Sequence, residues 1–123
     1  MQQTTKWKTE ESVAFILERE LAFIIKEWLK RVNLVQELTD IPLSYSDRTG
    51  YLPRLFDDLL YRLRSSRGDD QPLSINAAVA YGKLRFSQGY SVAMLAEESR
   101  ILEVSTFGTL SLHLRELDQA QLL

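Results

Sequence analysis

The chain has 123 residues, 45% hydrophobic and 26% charged, which is enough apolar material for one hydrophobic core and argues against disorder. A formal net charge of -2 gives no broad basic footprint, which speaks against nucleic-acid binding and against a polybasic membrane patch. The absence of cysteine excludes disulfides, thiolate nucleophiles and zinc sites built on sulfur.

The first residues, MQQTTKWKTEES, lack the apolar stretch that a secretory signal needs, and the apolar runs Val13–Leu17 and Leu21–Ile25 are broken by charge. A cytoplasmic single domain over 1–123 is the expectation. Between Thr9 and Leu38 the residues Val13, Leu17, Leu21, Ile24, Trp28, Val32 and Val35 recur every three or four positions, the stripe of an amphipathic helix. Phe15, Ala22 and Leu29 add a second apolar row. Thr9 is placed to cap this helix, Glu10 and Glu11 suit its first turn, and Glu27–Arg31 is an i,i+4 pair for its outer face.

Thr39 to Ser46, with Pro42 and two serines, reads as a connection. A second helix is predicted from Asp47 to about Arg64, capped by Ser44 or Ser46, with Leu52, Leu55, Phe56, Leu59, Leu60 and Leu63 at helical spacing. Pro53 either opens the main helix in its first turn or kinks a longer one. Gly50 favours a break, so a short extra helix near Pro53 stays open. Ser65 to Leu73 (SSRGDDQPL) is a loop by composition. Ser74 is the expected cap of a third helix, Ile75 to about Gln88, which Gly89 would end in the left-handed conformation.

Ser91 can cap a fourth helix reaching about Gln119. Its apolar residues spread around the whole circumference, as in a helix covered on several sides or shared with a partner. Ser105, Gly108 and Ser111 leave a slim strip for close approach. The expected fold is all-α, a bundle of four main helices, with up-down and globin-like packings both open.

Little in the chain looks like catalysis. The one histidine, His113 in SLHLRELD, reads either as a phosphoacceptor or as a polar residue on a helix face. The proline that commonly follows a phosphotransfer histidine is missing. One histidine and no cysteine cannot furnish an ordinary transition-metal or haem site, and no cofactor is expected. No glycine-rich phosphate loop or GxSxG elbow is present. Asp57–Asp58, Asp69–Asp70 and Glu97–Glu98 are adjacent carboxylates, which point in different directions on a helix and make a poor acid–base pair.

The most informative stretch is Tyr81 to Glu103, YGKLRFSQGYSVAMLAEESRILE. Gly82 would let the third helix pack closely, Gly89-Tyr90 makes a sharp corner, and the next helix returns with Glu98 and Arg100 buried or half-buried. Arg85 and Glu98 both lie about two turns from that corner, so an ion pair across the hairpin is expected, as structural glue or as the wall of a sensing pocket.

In Gly82, Arg85, Gly89, Tyr90, Glu98, Arg100 and Leu102 this segment resembles the N-terminal domain of the RsbRD family, which precedes STAS or histidine-kinase modules in bacterial signalling. Trp28, Ile41-Pro42 and Leu52-Pro53 look similar as well. Tyr81, Ser99 and Glu103 depart from the family pattern, which has histidine, tyrosine and arginine there. The resemblance implies a non-catalytic sensory or interaction domain, homodimeric or bound to a signalling partner, passing information to an output domain. Trp28, Tyr81, Arg85, Tyr90 and Glu98 are then the candidate ligand or switch residues, and Gly82, Gly89 and Arg100 the structural motif. A phosphotransfer bundle using His113 and a ligand-free assembly adaptor are the alternatives.

Overall fold

The computed structural model describes residues 12–65 and 76–122, with side chains through residue 116. Every regular element among them is helical: α1 (residues 12–19), α2 (Leu21–Val32), α3 (Gln36–Thr39), α4 (Tyr45–Thr49), α5 (Leu52–Arg64), α6 (Asn76–Ser87) and α7 (Val92–Leu122). The described residues are thus all-helical, as the periodicity predicts. The caps expected at Thr9 and Ser74 lie outside the described residues, as does the loop expected over Ser65–Leu73 except for Ser65, which ends α5.

The single helix expected between Thr9 and Leu38 is divided into three. At Glu20 the backbone leaves helical values (φ -99°, ψ 12°), yet the Glu20 amide still donates to the Ile16 carbonyl at 2.8 Å and Ile24 to Glu20 at 2.9 Å. The ladder runs through this joint, so α1 and α2 are offset without separating. α2 then stops at Val32, and the buried stripe Ile24, Trp28, Val32 ends with it. The outer pair expected between Glu27 and Arg31 does not form. Glu27 lies 3.8 Å from Lys30, while Arg31 instead donates to Ser105 Oγ at 3.1 Å.

Between Pro42 and Arg64 the chain makes two helices. Ser44, rather than Ser46, caps α4 by accepting from the Asp47 amide at 3.1 Å. Gly50 closes it where a Cβ would run into the Ser46 carbonyl. Pro53 then sits in the first turn of α5, where its missing amide hydrogen costs no helical bond.

Two apolar clusters form the core. One gathers Ala14, Ile16 and Leu17 of α1, Ile24 of α2, Phe56 and Leu60 of α5, and Leu110 of α7. The other gathers Trp28 and Val32 of α2, Leu38 of α3, Leu52 of α5, Tyr90, and Ile101 of α7. Leu102 touches both. α7 runs the length of this core, about 46 Å at 1.5 Å per residue. It packs mainly on α2 and also on α3 and α6, and leaves Val104, Phe107 and Leu112 exposed. The small-residue strip divides accordingly: Ser105 is buried where α2 approaches, whereas a Cβ at Gly108 would meet open space.

Candidate functional site

The site begins with how α6 ends. Gly89 adopts φ +104°, which a side chain would resist. The Tyr90 amide donates to the Arg85 carbonyl at 3.0 Å and the Gly89 amide to Phe86 at 3.1 Å, the paired bonds of a Schellman closure. That closure folds Tyr90 back over Arg85, whose guanidinium lies 5.2 Å from the tyrosine ring centre. Ser91 then starts α7 by accepting from the Met94 amide at 3.2 Å. Glu98, on the second turn of α7, comes to face Arg85 as expected.

Glu98 is fully buried and is the hub. Its Oε1 accepts from Arg85 Nε at 2.6 Å and from the Tyr81 hydroxyl, and its Oε2 accepts from the Tyr90 hydroxyl. Its backbone carbonyl receives the Trp28 indole N–H at 3.3 Å. The five residues singled out in the sequence, Trp28, Tyr81, Arg85, Tyr90 and Glu98, therefore converge on one buried cluster.

Arg85 spreads its planar fork over three elements. Besides Glu98 it donates to Gln88 Oε1 at 2.8 Å, to the Asp47 carbonyl at 3.2 Å and to the Arg48 carbonyl at 2.6 Å. These two carbonyls belong to the last turn of α4, where helical geometry leaves acceptors unfilled and a cation is favourable. The guanidinium also lies over the Tyr81 ring, 5.0 Å from its centre, so it contacts both aromatic rings. Tyr81 in turn stands 6.1 Å from Tyr51.

Arg48 completes the cluster, and sequence reasoning missed it. In the polar stretch SYSDRTG an arginine reads as solvated, yet Arg48 is 5% exposed. Its Nη1 donates to Tyr90 Oη at 3.0 Å and lies 4.0 Å from Glu98 Oε2. Its Nη2 donates to the carbonyls of Ile41 at 2.7 Å and Leu38 at 3.4 Å, just where α3 ends. The two arginines therefore do one job twice: each fills the carbonyl end of a very short helix and faces the same carboxyl.

Burial dominates the electrostatics. It pushes the Glu98 carboxyl up to about 8, with Arg48 pulling the other way. Burial also draws the Arg85 guanidinium down, and the nearby Arg48 adds to that, while Tyr90 and Asp47 oppose it. Because Arg85 and Glu98 have no exposed surface and their polar atoms are partnered, the cluster is a packed polar lock and not a cavity.

Two motif residues stand elsewhere. Arg100, expected buried or half-buried, is at the surface and pairs with Glu97 at 2.7 Å. That pairing lowers the Glu97 carboxyl and raises the Arg100 guanidinium. Gly82 is not required for close packing, since a Cβ there would meet Leu95 at an ordinary 3.6 Å. His113 lies about four turns beyond Glu98 on α7, with Nε2 2.9 Å from Glu20 Oε1 and Nδ1 near Glu116 and Arg19. It ties α7 to the α1–α2 joint.

No group of three metal-ligating side chains occurs among the described residues, and no helix among them is long and apolar enough to cross a membrane. No family model, curated protein or solved structure matches this chain.

Proposed function

We propose that this chain is a non-catalytic, cytoplasmic sensory or protein-interaction module of a bacterial signalling protein, of the histidine-kinase or stress-response co-antagonist kind. It acts as a homodimer or with a signalling partner, and its helices form a bundle around α7. The supporting observation is that Arg85, Tyr90 and Glu98, which carry the likeness to the RsbRD N-terminal domain, meet with Trp28, Tyr81 and Arg48 in one buried lock on the first turns of the longest helix. A helix fixed at that end by charged, directional contacts has few intermediate positions. Its packing is thus suited to two discrete arrangements, and a ligand or partner that binds one more tightly would shift the balance.

Arg85→Ala in the intact signalling protein, assayed for output and self-association alongside folded fraction, tests the reading. Output should change by more than the loss of folded protein accounts for. A strictly proportional loss would reduce the lock to structural glue. Acid-labile phosphate removed by His113→Ala would favour phosphotransfer. A stable dimer indifferent to every compound in a thermal-shift screen would favour an assembly adaptor.

A further inference from the structure

His113 is the one histidine of the chain, and the buried lock makes no use of it. Its side chain is 17% exposed, so water can deliver or remove a proton. Nε2 lies 2.9 Å from Glu20 Oε1 at the α1–α2 joint. A carboxylate only accepts, so that contact places a proton on Nε2 and leaves Nδ1 to decide the charge of the ring. Nδ1 faces two groups of opposite demand. Arg19 Nη2, at the end of α1, stands 3.3 Å away, and Glu116 Oε2, one turn further along α7, stands 3.4 Å away. A guanidinium only donates and needs a bare Nδ1, whereas the Glu116 carboxylate needs a protonated one. The two contacts are nearly equal in length and cannot both be hydrogen bonds.

We propose that His113 is a proton-operated switch: when the ring takes up a proton, Nδ1 exchanges Arg19 for Glu116, and α7 releases the end of α1 while keeping hold of the joint through Glu20. Histidine is the side chain that ordinarily changes charge between about pH 5 and pH 8. In the neutral ring Arg19 donates to Nδ1 and bridges α1 to α7. Once Nδ1 carries a proton the two cations repel, and Arg19 retains Glu20 at 3.8 Å and the face of Phe15 at 5.4 Å. Glu116 then accepts from Nδ1, and the Nε2 contact with Glu20 becomes an ion pair. Charged side chains further out on the packed elements have partners of their own. Glu18 of α1 engages Arg64 of α5 at 3.3 Å, and Glu27 of α2 lies 3.8 Å from Lys30. The Glu20 backbone already departs from helical values, so a change in the direction of α1 is absorbed there. This switch goes beyond the sensory reading and is measured without any signalling output, so either can fail alone.

The test follows the single imidazole by nitrogen NMR of the full, isotope-labelled chain from about pH 5 to about pH 8.5. At the alkaline end the ring should be the Nε2–H tautomer, and at the acid end both nitrogens should be protonated. The amides of residues 16–24 and the Arg19 Nε–H should shift with the same midpoint as the ring. Glu116→Gln should lower that midpoint and Arg19→Gln should raise it, each by about 0.2–0.7 of a pH unit, the effect of one exposed ion pair. Both side chains are exposed, so neither variant endangers the fold. His113→Gln should abolish the response of amides 16–24 and leave the lock, read at the Tyr90 and Glu98 amides, unchanged. The Nδ1–H tautomer at alkaline pH, a midpoint that the two substitutions move together or not at all, or amides 16–24 that ignore the ring would overturn the proposal.

Discussion

Replacing Arg85 by alanine removes four hydrogen bonds at once. The Glu98 carboxyl can partly escape the loss by holding a proton, since burial already pushes it to about 8. The carbonyls of Asp47 and Arg48 have no such escape, and a buried acceptor left unfilled costs about 1–3 kcal/mol. Two of them, with what remains of the ion pair, give about 3–5 kcal/mol, the range found when one partner of a buried pair is deleted. That is a large part of the roughly 5–15 kcal/mol holding a domain of this size together. Arg85→Lys is the informative companion. An ammonium group keeps the charge but lacks the fork, so it reaches Glu98 or the carbonyls and not both, and should recover about half of the loss. Urea unfolding at constant slope measures the totals. Amide exchange should show the extra opening concentrated in α3 and α4, whose ends the guanidinium groups close. A lysine variant as stable as the parent, or an alanine variant costing less than about 1 kcal/mol, would refute the account of Arg85 as a shared cap.

Glu98 predicts a pH dependence. A carboxyl raised from about 4.5 to about 8 binds its proton more tightly folded than unfolded, so its stabilising contribution is complete below the lower value and lost as pH rises through the upper one. Thermal midpoints should fall from pH 5 to pH 8 in the wild type and lie flatter in Glu98→Gln. A wild-type profile that rises over that window would contradict this. Gly89→Ala should destabilise by about 1–2 kcal/mol through its positive φ, read from the urea midpoint. A neutral result would mean that the Schellman turn can relax. His113→Ala should loosen α1 against α7, seen as faster exchange of the amides in residues 12–24, while the α6–α7 corner is unaffected. Uniform exchange changes would deny it a local role.

Where inward-facing residues are apolar, the fold is legible in the sequence. Ile24, Trp28 and Val32 of α2 and Leu52, Phe56 and Leu60 of α5 repeat at helical spacing and are buried. Periodicity is silent where the inward face is polar. α6 buries Tyr81 and Arg85, which no hydrophobic pattern would single out; Arg85 is legible from its spacing to Glu98 across the corner, Tyr81 only from the resemblance to a known segment. Arg48 had neither signal, because its burial follows from a five-residue helix closing over it. The joint at Glu20 was illegible for a related reason. No glycine or proline marks it, and its contact with His113 spans 93 residues of sequence, a distance over which local spacing carries no information.

The lock also implies an order of assembly. Arg85 and Tyr90 meet Glu98 across only 13 and 8 residues, whereas Arg48 reaches Tyr90 across 42 and Trp28 reaches Glu98 across 70. The α6–α7 corner can close early with little chain to constrain, presenting a half-built acceptor that the amino-terminal helices find afterwards. A fragment that begins at α6 should therefore still form that corner.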